Sequence, residues 1–213
     1  MPQLTQGILI SIEGIDGSGK STLAKNLFAQ FNNNSYDTLL TKEPGDTSLG
    51  TKIRSLVQTQ DIPLCSKTEF LLFAADRAQH FAEIIIPKLA QNTLIISDRL
   101  ADSSLAYQGY GRNLDTQYIS MINNWAMNSI KPHLTLFITI PVEIALERVV
   151  KRNEAQTLFE KKEFLEKVAH GFEKLYKNRT DVIIIKGDQP INLVTMHAYS
   201  AIESWIHTNN LLR

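Results

Sequence analysis

Short apolar runs punctuate the chain at residues 8–12, 38–41, 94–97, 134–140 and 182–185, each rich in Ile, Leu, Val and Thr. Several are apolar throughout instead of alternating, as strands covered on both faces are, so each reads as a strand of a parallel sheet. Helical spacing lies between them: Leu23 and Leu27 share one face of the first helix, and Val194, Ala198, Ile202 and Trp205 one face of the last. Such alternation predicts an α/β fold, a doubly wound five-stranded parallel sheet with helices on both faces. Ligands of these sheets bind at the carboxyl ends of the strands, so chemistry is sought just after each run. No linker, repeat or low-complexity stretch divides the chain, and residues 1–213 read as a single domain. Charges crowd between Arg148 and Lys162, and the apolar pattern breaks at Asn153-Glu154-Ala155-Gln156. A mobile flap and a solvated connection between helices both fit that segment.

The 213 residues, 43% of them hydrophobic, suffice for a substantial core. The 22 basic and 22 acidic side chains cancel. Bulk charge therefore gives no hold on nucleic acid or anionic lipid, and any anion site is local. Cys65 stands alone, which excludes an internal disulfide, a zinc pair or a redox motif and suits a reducing cytoplasm. The opening Met1-Pro2-Gln3-Leu4-Thr5-Gln6 lacks a basic stretch followed by an apolar one. No apolar run nears the ~20 residues of a membrane span. A soluble, unprocessed, cytoplasmic protein is expected.

Gly14-Ile15-Asp16-Gly17-Ser18-Gly19-Lys20-Ser21 matches G-x-x-x-x-G-K-[ST] between an apolar strand and an apparent helix. Glycines let the backbone curl so that successive N–H groups point into one concavity, and the helix N-terminus adds positive potential. Polyphosphate is the natural guest. Lys20 would bring an ammonium to its β- and γ-phosphates, and Ser21 a hydroxyl to Mg²⁺. The alternative is a glycine-rich turn without a ligand. Asp98 closes the third run, where its carboxylate could reach the same Mg²⁺, and Arg99 follows it. An Asp-Arg pair merely closing a loop is the alternative there. A motor ATPase would more often place a second acid beside Asp98. A guanine-reading switch would need Asn-Lys-x-Asp or Thr-Lys-x-Asp, and neither is present.

Further segments extend the pattern: Glu13 ahead of the glycine loop and Thr22 after it, Lys42-Glu43-Pro44-Gly45, Phe73-Ala74-Ala75-Asp76-Arg77, and Ser103-Ser104-Leu105-Ala106-Tyr107-Gln108-Gly109. With Asp98-Arg99 they resemble the bacterial thymidylate kinases, P-loop nucleoside monophosphate kinases, from about Ile8 through the last helix. The resemblance implies transfer of the γ-phosphoryl of MgATP to thymidine monophosphate (dTMP) for dTTP biosynthesis. ATP and Mg²⁺ are the implied cofactors. The ATP phosphates would lie on residues 14–22. Arg148 would pack on adenine opposite Lys186-Gly187-Asp188.

On the acceptor side, Phe73 would stack on thymine and Arg77 reach its edge, although a helical phenylalanine is usually core. Asp16 would hold the 3′-hydroxyl, unless it merely caps its own loop. Tyr107 would close over the sugar, Ser104 and Gln108 border the base, and Arg54 with Arg99 grip the acceptor phosphate beside Glu43 and Pro44. Gly17 stands where some members carry an arginine, so a lid at about residues 148–162 should supply that charge; Arg148, Lys151 and Arg152 are the candidates, with Arg152 taken for the phosphates. The family commonly has Asp-Arg where this chain has Gln156-Thr157. Leu100 and Thr139 depart from its usual aromatic or histidine and its usual acid. A homodimer built on helices including residues 70–90 is also implied. A kinase for a deoxynucleoside or another monophosphate is the nearest rival.

Overall fold

A computed structural model describes residues 2–59, 63–151 and 158–212. In chain order come β1 (Ile8–Glu13), α1 (Lys20–Asn33), β2 (Thr38–Lys42), α2 (Ser48–Gln58) and α3 (Ser66–His80). A π-helical turn, Phe81–Ile85, leads to α4 (Ile86–Ala90), then β3 (Leu94–Asp98) and α5 (Ala101–Ser104), which continues as a π-helical stretch, Leu105–Gly111. The remainder is α6 (Thr116–Ala126), β4 (Leu134–Thr139), α7 (Val142–Val150), α8 (Leu158–Tyr176), β5 (Val182–Lys186) and α9 (Ile191–Thr208).

The five expected strands are all present and all parallel, in the order β2-β3-β1-β4-β5. Four run one residue further than the apolar runs, because the polar residue at each carboxyl end still sits in the ladder: Lys42 pairs with Asp98, and Lys186 with Thr139. β4 stops one residue early, before Ile140-Pro141. The ring of Pro141 removes a ladder donor and opens α7 instead.

Strand parity divides the core. Ile8, Ile10 and Ile12 face Leu23, Leu27 and Phe31 of α1 and Val194, Ala198, Ile202 and Ile206 of α9, with Trp205 packed partly buried at the margin. Leu9, Ile95 and Phe137 face the other way, toward Phe81, Ile85 and Met127 and toward Ala145, Leu146, Leu165 and Phe172. Each fully buried aliphatic side chain contributes about 1.5–3 kcal/mol of transfer free energy. The central strand β1 is therefore held rigidly from both faces. Its carboxyl end, where the glycine loop begins, is fixed accordingly. Among the described residues no helix is long and apolar enough to cross a membrane.

Candidate active site

The glycine loop uses backbone shapes that other residues resist: φ is +148° at Gly14, +82° at Gly17 and +98° at Gly19. Gly19 caps α1 with no side-chain hydrogen bond, and no acid sits in the first turn. The N–H groups at that end, and the helix dipole behind them, stay available to an anion. Lys20 is buried, and its Nζ donates to the Ile15 carbonyl at 2.8 Å. Burial, with Arg99 nearby, brings its pKa down to about 7. An approaching polyphosphate acts in the opposite sense and favours the ammonium.

α7 presses on this loop. A Cβ at Gly17 would lie 2.3 Å from the Ala145 carbonyl oxygen, so no side chain fits at this position. From the same helix, Arg148 donates twice to the Gly187 carbonyl, at 3.1 Å each, and once to Gly17 O at 3.4 Å. Its in-plane donors tie the loop after β5 to the glycine loop.

At the lip of the loop, Ser21 Oγ donates to Asp98 Oδ2 across 77 residues of sequence. The next residue, Arg99, adopts φ +74°, a strained conformation for a side chain of its size and one that concentrates at functional sites. Its Nη1 reaches Gly14 O at 3.1 Å and Ser103 Oγ at 2.9 Å, and its Nη2 reaches Tyr107 Oη at 3.1 Å and pairs with Asp16. Asp16 thus pairs with Arg99, 83 residues away, and not with the amides of its own loop. Burial raises its pKa, but the charges of Arg99 and Lys20 outweigh that and hold it below the usual carboxylate range. The side chain remains 52% exposed.

Beyond Arg99 opens a cavity of about 710 Å³. Phe73 and Arg77, one turn apart on α3, both line it, as do Ser104, Tyr107 and Gln108 from the α5 stretch and Arg54 from α2. Phe73 is therefore a cavity wall and not core. The Glu43-Pro44 peptide is cis, and Arg54 Nη1 donates to the Pro44 carbonyl at 2.9 Å. Gln108 Nε2 donates to Glu69 at 2.8 Å. Tyr107 and Gln108 lie on the π-helical stretch, a geometry frequent at functional sites.

A family profile described as Thymidylate kinase matches residues 12–197. The thymidylate kinase of Desulfovibrio desulfuricans is 37% identical over 209 residues, covering 93% of this chain and 96% of that one. Those of Thermosipho africanus (37% identical; 94% and 100% covered) and Carboxydothermus hydrogenoformans (41%; 82% and 86%) align comparably. The chain belongs to the thymidylate kinase family. It is accordingly an ATP-dependent nucleoside monophosphate kinase.

Against the residues the family likeness suggested, the structure gathers Asp16, Lys20, Ser21, Thr22, Arg54, Phe73, Arg77, Asp98, Arg99, Ser104, Tyr107 and Gln108 around one cavity. Arg152 lies outside the described residues. Glu43 lines the cavity but is only 5% exposed, with Oε2 2.8 Å from Arg77 Nε and Oε1 2.9 Å from His80 Nδ1. The Arg77 N–H is not aligned on that oxygen, which makes the pair an ion contact.

Other groups show their role only in the fold, although Glu13 and Asp76 belong to the family-like segments. Glu13, at 0% exposure, accepts from Leu100 N at 2.7 Å and Ser103 Oγ at 2.6 Å, and so holds the loop that carries Arg99. Burial, with Asp102 nearby, pushes it up to about 7. In sequence it is marked as an acid ending an apolar strand and by its place in the family-like pattern ahead of the glycine loop, but not by this role. Asp76 accepts from Gly45 N at 3.2 Å, and burial beside Glu43 pushes it up to about 6. His80 and Asn123 look in sequence like ordinary helix residues.

Proposed function

We propose that the chain transfers the γ-phosphoryl group of ATP directly to a phosphate oxygen of dTMP, giving dTDP and ADP. The observation that carries this is one continuous cavity running from Lys20 and Ser21 past Arg99 to Phe73 and Arg77, so that a donor on the loop and a base on α3 meet at Arg99. A bond forms between the acceptor phosphate oxygen and the γ-phosphorus, and the γ-phosphorus to bridging-oxygen bond of ATP breaks. The acceptor phosphate is already anionic near neutral pH, so no general base is needed. Catalysis consists of positioning and charge stabilisation.

Lys20 and the loop amides hold the donor phosphates, and Arg148 with the loop at Lys186 and Asp188 forms the adenine side. Arg54 and Arg99 take the acceptor phosphate, offsetting repulsion that a low dielectric would magnify. Asp16 accepts from the 3′-hydroxyl, Tyr107 covers the sugar, Ser104 and Gln108 border the base, and Phe73 stacks on it. Ser21 Oγ and Asp98 Oδ2 lie in contact and are hard oxygen donors of the kind that Mg²⁺ takes, so these two residues would hold it. When bound there it would neutralise charge on the β- and γ-phosphates. The segment at about 148–162 acts as the lid of a single domain, with Arg152 supplying the cation that the family-like pattern calls for. Closure excludes water, which otherwise makes the enzyme an ATPase.

The test is ADP release measured across dTMP, dUMP, dCMP, UMP and thymidine. Preference for dTMP is expected, and preference for UMP or the nucleoside overturns the reading.

We also place the enzyme in the cytoplasm as a homodimer. Tyr118, Met121 and Trp125 project from one face of α6 at 64%, 62% and 80% exposure, and Leu71 of α3, a helix packed against α6, is 53% exposed. An apolar stripe of this kind favours burial against a second copy. Sedimentation at micromolar concentration should return twice the chain mass. A monomer there removes the dimer.

A further inference from the structure

The geometry points to Asn123 of α6 as the positioning residue that turns Arg77 toward the base and so sets pyrimidine selection. This rests on Arg77 being the group that meets the base. Arg77 is only 2% exposed, and a guanidinium offers five N–H donors in a fixed plane. Its Nε faces Glu43, and its Nη1 donates to Asn123 Oδ1 at 2.7 Å and to Ser104 Oγ at 3.2 Å. Among the described residues Nη2 has no such partner, and Arg77 lines the cavity. The fork is held by one edge and one tine, which leaves the other tine to a ligand.

Asn123 is itself built in. It is 2% exposed, and its Nδ2 donates to the Ala101 carbonyl at 3.3 Å, which fixes the amide so that Oδ1 is the atom offered to Arg77. A buried amide on the inner face of a helix is costly unless both ends are satisfied, and here both are. The Asn123 contact is the shorter of the two on Nη1. Without it the guanidinium can turn about its Nε edge, and Nη2 loses its aim.

A pyrimidine with a carbonyl at C4 presents an acceptor to Nη2, whereas cytosine presents an amino donor at the same place. A fixed donor therefore prefers the first and repels the second. The discrimination lies in the orientation of Arg77 and not in its charge alone.

The experiment compares steady-state kinetics of dTMP and dCMP for wild type, Asn123→Leu and Asn123→Asp. For Asn123→Leu the KM for dTMP should rise about tenfold and the dTMP-to-dCMP preference fall about tenfold, with KM for ATP unchanged and kcat within about twofold. Asn123→Asp gives up the Nδ2 bond to Ala101 but keeps an acceptor oxygen, now charged, for the Arg77 guanidinium, and should retain the wild-type preference. Should the leucine variant not fold, Asn123→Ser, whose hydroxyl is too short to reach Arg77, is expected to show the same shift. Preference unchanged in a folded variant, or lost equally in Asn123→Asp, overturns the assignment. So does a fall in kcat alone, which would mark a merely structural residue. Wild type that fails to phosphorylate dTMP would instead overturn the functional reading.

Discussion

At the end of the cavity where we propose the donor binds, the site is built mostly from backbone: the glycine-shaped loop at residues 14–19 and the first turn of α1, with the carbonyls of Gly17 and Gly187 anchoring Arg148 behind them. At the far end of the cavity, where we propose the acceptor lies, the site is built from side chains brought from α2, α3 and the π-helical stretch, and three of them are held by further groups: Arg54 by the Pro44 carbonyl, Arg77 by Asn123 and Gln108 by Glu69. A backbone site tolerates changed side chains but not added Cβ atoms. A site of side chains tolerates backbone neighbours but depends on every hydrogen bond that orients it.

The largest effect is expected where a single side chain serves the backbone half. Lys20→Ala should lower kcat about 10³-fold, or about 4 kcal/mol, while equilibrium dTMP binding stays nearly intact. Unchanged turnover would remove Lys20 from the chemistry. Next comes an added methyl. Gly17→Ala must strain φ +82° and push against Ala145, which should cost about 3 kcal/mol and lower Tm by roughly 6–12 °C. A Tm within error of wild type would show that α7 gives way freely.

On the acceptor half, Phe73→Ala should raise KM for dTMP roughly 10–30-fold, because base stacking contributes about 1–3 kcal/mol, with KM for ATP unmoved. Equal changes in both would show that the halves are not separable. The smallest effect is set by pH. With Lys20 at about 7, its charged form prevails below that pH and is lost above it. kcat/KM for ATP should therefore be level below pH 7 and fall toward tenfold per unit above it. At saturating ATP the fall in kcat should begin at higher pH, since bound phosphate favours the ammonium. Coincident profiles would assign the titration to another group.

The same division governs what the sequence discloses. The strands and the glycine loop are legible because their causes are local: apolar runs make buried strands, and a contiguous motif makes the cradle. Asp98 and Arg99 are legible because a strand end predicts where they emerge. Phe73, Arg77, Tyr107 and Gln108 are unremarkable letters until a family pattern joins them, since the cavity uniting them forms only when distant segments pack. Asn123, Glu69 and His80 carry no signal at all. Each touches another side chain, not the backbone beside it, and such contacts have no period or spacing. The π-helical stretch, which packs against α8, is hidden for a related reason: its contacts are with a distant helix and leave no local spacing.

Gly17 bears on the evolutionary routes open to this sequence. Related kinases carry an arginine in that loop, and a glycine codon can become an arginine codon through a single nucleotide change. Here that change would drive a side chain into the Ala145 carbonyl before it reached any phosphate. The intermediate protein would bear the damage without the benefit, so α7 must shift before the loop can take on a cation. Two designs one letter apart in the gene are separated by a coordinated move of a helix, and a backbone carbonyl keeps this lineage on its side of the divide.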